Sequence, residues 1–200
     1  MNRGPGLLAL ITLSILSLCM WIVATGDGTL ENTASSIIRW TARTSLVMFA
    51  IAYVARPANA LWRNPFTRHW LRERKWIGLG FAVSHAAHLG GIIALASPDV
   101  GAFIRAQSPT TAVAVLTFIL LFAMAVTSID GVKKAMSPRA WKLLHRTGMH
   151  LAWLSFTTTY GAAAFAHPAY AVPAALLFAI AGIRIAAWAR QARRHRAEPV

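Results

Sequence analysis

The sequence is short of charge, of acid and of cysteine. Only 13% of its 200 residues are Asp, Glu, Lys or Arg, where a soluble domain carries about a quarter. Six are acidic, against 20 Lys and Arg. The single cysteine, Cys19, excludes a disulfide framework and a cysteine-based metal cluster. No phosphate-cradling glycine loop or dinucleotide fingerprint is present. The Gly-x-Gly of "GLGFAVS" lies inside an apolar run, where small residues serve close helix packing. The chain thus has no nucleotide site of its own, and no repeat, low-complexity tract or long linker divides it.

What is there in abundance is hydrocarbon. Hydrophobic residues make up 56% of the chain and the mean hydropathy is +0.51. Six runs approach the roughly 20 apolar residues that cross a bilayer core. They cover residues 7–24, 36–55, 76–96, 109–128, 141–165 and 169–189. The fourth carries no charge, whereas the second has Arg39 and Arg43 near its start. The first follows the basic "MNR" and has some character of a signal peptide. Its "LLALITLSILSLCMWIVA" is longer than the usual apolar core of one, so a retained helix is expected. The expected fold is an all-α membrane protein, a single domain over 1–200 built as a six-helix transmembrane bundle.

The basic residues are unevenly spread. Six Lys and Arg fall in residues 56–75, five in 133–146, five in 184–196, and Arg3 makes seventeen. The segments on the other side hold three: Arg39, Arg43 and Arg105. The positive-inside rule then predicts cytoplasmic termini and two cytoplasmic basic loops. A net charge of +14 would also suit nucleic acid. Basic loops between apolar helices, however, read as topology determinants facing anionic lipid, so the bilayer and not nucleic acid is the expected partner.

Four of seven histidines lie inside two of the runs: His85 and His88 in the third, His145 and His150 in the fifth. Ionisable groups at that depth are expensive without a partner. On a helix, His85 and His88 are about 60° apart and share a face, whereas His145 and His150 are about 140° apart. Measured from Lys75 and from Pro138, the two pairs lie about 15–20 Å and about 10–18 Å into their helices, so they overlap in depth. Zinc would want three or four ligands, commonly with Cys or carboxylate among them, and no acid is near. A heme b needs two axial nitrogens and an apolar slot, and Gly78, Gly80, Ala82, Ser84, Ala86, Ala87, Gly90 and Gly91 leave room for one. Bis-His ligation saturates the iron and suits electron transfer. Depth counting alone leaves His85 with His145, or His88 with His150, as the pairs.

These residues resemble a known family. "RKWIGLGFAVSHAAHLG" is similar to the third helix of the ferric-reductase-like transmembrane domain. It is nearest the heme-binding membrane subunit of the bacterial periplasmic methionine sulfoxide reductase system. There a basic pair precedes Gly-Leu, and a ligand His followed by Leu comes ten residues after the Gly. Here these are Arg74 and Lys75, Gly78 and Leu79, and His88 and Leu89. "TSIDGVKKAMSPRAWKLLHRTGMH" resembles the family's Thr-Ser, basic loop and Trp-x-x-Leu-His run. "RWTARTSLVMFAIAYVARP", ending at Pro57, is similar to its second helix.

The resemblance implies heme b between the third and fifth helices with His88 and His145 as axial ligands. His85 and His150 are second choices as ligands, or contacts to a propionate or quinone. Arg39 and Arg43 are candidates for propionates or an anionic cofactor, and also suit snorkelling to headgroups. Trp141, Trp153 and Tyr160 read as interface or packing aromatics. Thr158 stands where two-heme members carry a further His, so one heme per chain is expected. The implied activity is electron transfer in a bacterial inner membrane, as the oxidoreductase subunit of a reductase system. Electrons would come from a quinol or flavin (FMN or FAD) and pass to a separate flavin- or molybdenum-containing partner. Rival readings are a non-enzymatic heme-binding or assembly protein, and a proton-coupled transporter using the intramembrane histidines.

Overall fold

In the computed structural model, residues 4–107 and 111–197 are described, and all the regular structure among them is helical. The long helices are α1 (Gly4–Thr25), α2 (Leu30–Leu61) and α3 (Pro65–Ala96). After the short α4 (Val100–Arg105) come α5 (Thr111–Val126), a one-turn α6 (Asp130–Lys134) and α7 (Pro138–Ala166). A 3-10 turn, Pro168–Tyr170, leads into α8 (Ala171–Ala197). The start of the expected fourth span, at Pro109, lies outside the described residues.

Local chemistry accounts for the helix starts. Thr29 caps α2 by accepting from the Asn32 amide, and Asp27 takes further hydrogen bonds from Thr29 and Asn32. Asn64 and Thr67 form a reciprocal capping box at α3, with Pro65 in the first turn, where its missing N–H costs nothing. At α7, Ser137 caps one way by accepting from the Ala140 amide, again with a proline, Pro138, in the first turn. The third helix therefore begins at Pro65, well before residue 76, where the apolar run starts. Charged turns extend it beyond the hydrocarbon.

Among the described residues, four helical stretches are long and apolar enough to cross a membrane: α1, α2, α3 and Pro168–Arg194. α5 is apolar but shorter, at 16 residues. α7 has the length, but its apolar face is diluted by His150, Ser155 and Thr157 to Thr159. Large apolar side chains point outward along α1 (Leu10, Leu13, Leu16, Trp21) and α8 (Phe178, Ile185, Trp188). Exposed apolar bands of this extent mark a lipid-facing surface.

Inside, Phe49, Tyr53, Phe81, Phe156, Tyr160 and Leu177 join α2, α3, α7 and α8 in one core. Several helix crossings bring a neighbour close over a glycine. A Cβ on Gly80 would sit 2.9 Å from Ile11 of α1, and one on Gly148 would sit 2.7 Å from the Met124 sulfur of α5. Contacts fix the helix directions. Ile38, Phe49 and Ala52 of α2 meet His88, Phe81 and Arg74 of α3 in reverse order. Tyr53 and Phe49 meet His150 and Phe156, so α7 runs with α3 and against α2.

Candidate functional site

The third-helix histidines sit on a hydroxyl-lined seam between α2 and α3. Ser84, fully buried, donates its Oγ to the Thr41 carbonyl at 3.0 Å. Ser45 donates to Ser84 at 3.0 Å, and so accepts from His85 Nδ1 at 3.2 Å. His88 Nδ1 lies 3.0 Å from the Ile38 carbonyl, which can only accept, so the ring proton is on Nδ1. In both rings Nε2 then carries the lone pair. The two imidazoles stack 5.2 Å apart at 17°. Phe118 of α5 lies 4.5 Å from His85, with Phe81 at 5.2 Å and Phe156 at 5.9 Å. His85 is buried and His88 half-buried.

The α7 histidines are engaged elsewhere. Thr127 donates to the Ala123 carbonyl at 2.7 Å, leaving its oxygen to accept from His145 Nε2 at 3.3 Å. The His145 ring lies 4.1 Å from Trp141, whose indole N–H donates to the Thr127 carbonyl. His150, on another face, has Nδ1 3.2 Å from the Tyr53 hydroxyl. Its Nε2 is 3.5 Å from Arg184, a donor only, so Nδ1 carries the proton. The angular separation expected within α7 is thus realised: one histidine faces α5, the other α2 and α8.

The structure does not bring His88 and His145 together. Two rulers measure the offset. Phe156, beside His85, is eleven residues past His145, about 16 Å of helix rise. On α5, Phe118 beside His85 and Thr127 beside His145 are nine residues apart, about 14 Å. His88 stands a further turn away, so its offset from His145 is about 20 Å. The expected overlap in depth assumed that Lys75 and Pro138 mark one level. α3 has already run ten residues when it reaches Lys75, whereas Pro138 begins α7.

Measured against what a bis-His heme needs, the site is half complete. His88 is a ring held by a carbonyl through Nδ1 with Nε2 available, the usual preparation of a ligating histidine. The α7 side chain that meets the pair is Phe156, which touches His85. The exposed Thr158 spends its hydroxyl on the Ser155 carbonyl. Among the described residues no group of three or more His, Cys, Asp or Glu could hold a metal ion. His88 and His145 are not placed to grip one heme in this packing.

The remaining expected residues fall outside this pocket. Arg39, exposed, donates to Ser36, and Arg43 lies over the Trp40 ring at 4.9 Å. Trp153 donates to the Leu177 carbonyl and Tyr160 is buried in the core, both packing roles. A cluster that sequence reasoning passed over surrounds Pro57. Lacking an N–H, Pro57 leaves the Tyr53 carbonyl without its helical partner, and Arg184 of α8 donates to that oxygen at 3.1 Å. Arg74 donates to the neighbouring Ala52 carbonyl at 3.0 Å, and Arg184 stacks over the Tyr53 ring. The signal was available: a proline in one apolar helix and an arginine in another.

No curated protein and no solved structure matches the chain. A family model does, over residues 40–157, more than half of the 200 residues and inclusive of His85, His88, His145 and His150. The lipid-facing helices, the hydroxyl-braced imidazoles and this match agree on a multi-pass membrane protein: the chain belongs to the ferric reductase like transmembrane component family.

Proposed function

We propose that this chain is the membrane electron carrier of a reductase system, working through one heme b held by His88. Family membership supports transmembrane electron transfer as the activity. The observation that carries the heme is the His88 ring, whose Nδ1 proton is committed to the Ile38 carbonyl. When bound, heme b supplies a one-electron carrier within the bilayer. The chain's residues hold and orient it. Ile38 sets the His88 tautomer, while Phe81, Phe118 and Phe156 line the surroundings with hydrocarbon and exclude water.

The finer parts of the reading go with it. Six traverses with cytoplasmic termini are supported by the Lys and Arg distribution and by alternating helix directions. The likeness to the membrane subunit of the periplasmic methionine sulfoxide reductase system supports a bacterial inner membrane. It also supports a quinol or flavin donor and a separate flavin- or molybdenum-containing partner. Arg39 and Arg43 are available to a propionate or an anionic cofactor. His145, the expected second ligand, is the residue whose removal shows how many ligands the chain supplies.

The test is spectroscopic. Full-length protein from heme-replete cells should carry one heme b per chain by pyridine hemochrome, reducible in membranes by a quinol or reduced flavin. Heme that neither donor reduces would favour the heme-binding or assembly reading. Heme-free protein would remove the cytochrome reading and leave a proton-coupled transporter.

A further inference from the structure

We infer that Arg56, Arg74, Arg146 and Arg184 form a binding site for a phosphate anion, and that this anion is the headgroup of an anionic phospholipid in the leaflet that meets the basic ends of the helices. The site does not depend on heme.

Geometry gathers the guanidinium groups from four helices. Arg74 of α3 donates through Nε to the Ala52 carbonyl at 3.0 Å, and Arg184 of α8 donates through Nη1 to the next one, that of Tyr53, at 3.1 Å. Arg56 follows Ala52 by four residues and Tyr53 by three, so it stands one turn along the same face of α2. On α7, Arg146 precedes His150 by four residues, and His150 Nε2 lies 3.5 Å from Arg184 Nη2. The charge of Arg56 accordingly reaches both Arg74 and Arg184, and that of Arg146 reaches Arg184.

No carboxylate answers these cations. Among the described residues the one ion pair is Lys75 with Asp130. Like charges at such close quarters oppose packing unless an anion joins them. The two inner groups are also fixed. Each is tied to a backbone carbonyl, and Arg184 lies over the Tyr53 ring at 4.2 Å, so neither is a loose arm reaching for water. Each commits only part of its five-donor fork. Among the described residues no buried side-chain nitrogen or oxygen lacks a partner, so the uncommitted donors face open surface. Fixed, planar forks with spare N–H groups suit phosphate oxygens.

The source of the phosphate follows from place. Arg56 directly follows the apolar run that ends at Ala55, and Arg74 comes two residues before the run that starts at Trp76. The cluster therefore lies at the edge of the hydrocarbon, level with headgroups, where basic pockets between transmembrane helices take anionic lipid.

The experiment uses full-length protein, delipidated in a neutral detergent and titrated with phosphatidylglycerol, phosphatidylcholine or inorganic phosphate. Native mass spectrometry counts bound lipid, and a thermal melt reports stabilisation. One phosphatidylglycerol per chain should bind more than about tenfold more tightly than phosphatidylcholine, and inorganic phosphate should shift the melt far less. Arg56→Gln and Arg146→Gln, both at exposed positions, should each weaken phosphatidylglycerol binding about fivefold without lowering the lipid-free melting temperature. Arg68→Gln and Arg139→Gln remove the same charge from the neighbouring basic segments, outside the cluster, and should stay within about twofold. Equal losses across all four variants would reduce the site to diffuse surface charge and overturn the inference. Equal affinity for the two lipids would do the same. A melt shift from inorganic phosphate to which phosphatidylglycerol adds nothing would overturn the lipid as the source of the anion.

Discussion

The two histidine pairs have the same composition and opposite situations. On α3, His85 and His88 are stacked, held through Nδ1 by α2, and left with unprotonated Nε2 atoms. On α7, His145 and His150 point to different neighbours, and hydrogen bonds reach Nε2 in each: from His145 to Thr127, and from Arg184 to His150. An intramembrane histidine is thus no more informative than its partners. Pinning one nitrogen by an obligate acceptor prepares the other for a ligand, whereas engaging Nε2 makes the ring part of the scaffold.

Substitutions sharpen this contrast, and the largest effect belongs to His88. His88→Ala should abolish heme binding, whereas His150→Ala should leave the heme spectrum in place and cost stability instead. Hemochrome content and a thermal melt in the same detergent separate the two effects. Loss of heme in His150→Ala with retention in His88→Ala would reverse the roles given to the two regions.

Next in size is the hydroxyl seam that braces the α3 pair. Ser84→Ala removes the donor to Thr41 and the acceptor for Ser45 in a fully buried position. It should destabilise by about 1–3 kcal/mol, read as a lower midpoint of unfolding in detergent. A neutral outcome would mean that the seam does not hold His85.

The scaffold side is tested at Pro57. Arg184→Met leaves the Tyr53 carbonyl unpaired and should also cost about 1–3 kcal/mol. Pro57→Ala restores the helical N–H to that carbonyl, so in the Pro57→Ala background Arg184→Met should cost measurably less. Additive losses in this double-mutant cycle would show that Arg184 is not compensating for the proline.

The smallest effect lies at the basic end, where Lys75 and Asp130 pair at 2.9 Å on the surface. The Lys75 ammonium holds the Asp130 carboxyl below the usual carboxylate range. A depressed folded value means that the pair contributes above the ordinary carboxylate pKa and is lost as pH falls through the folded one. Asp130→Asn should therefore lower the melting temperature slightly at neutral pH, and the difference should fade in acid. A difference that grows in acid would contradict the sign. Exposed pairs of this kind contribute little.

Much of the fold was legible because its signals are local. Asn64 with Pro65, and Ser137 with Pro138, announce helix starts by capping chemistry, and both are used as such. The apolar runs named the membrane class without any tertiary information. His88 and His145 are singled out by motifs of the family resemblance, but motifs on separate helices carry no information on the axial register between them. Taking Lys75 as the level of Pro138 ignored the ten residues of α3 from Pro65 onward, and that made the two histidine pairs overlap in depth. In the sequence Arg184 is one of the five basic residues of 184–196. Its role depends on a carbonyl left open by a proline in another helix, more than a hundred residues away.

By itself the sequence determined that the chain is helical and apolar enough to live in a bilayer. It also determined that His85 and His88 share a face while His145 and His150 do not. A 3.6-residue turn and the roughly 30 Å of hydrocarbon suffice for both statements. The tertiary structure alone decided which levels of neighbouring helices meet. That register is set by interlocking side chains: Phe156 against Phe49 and Phe81, Met124 over Gly148, and Thr127 on His145. Helix periodicity is a property of one backbone, whereas axial register is a property of two packed surfaces.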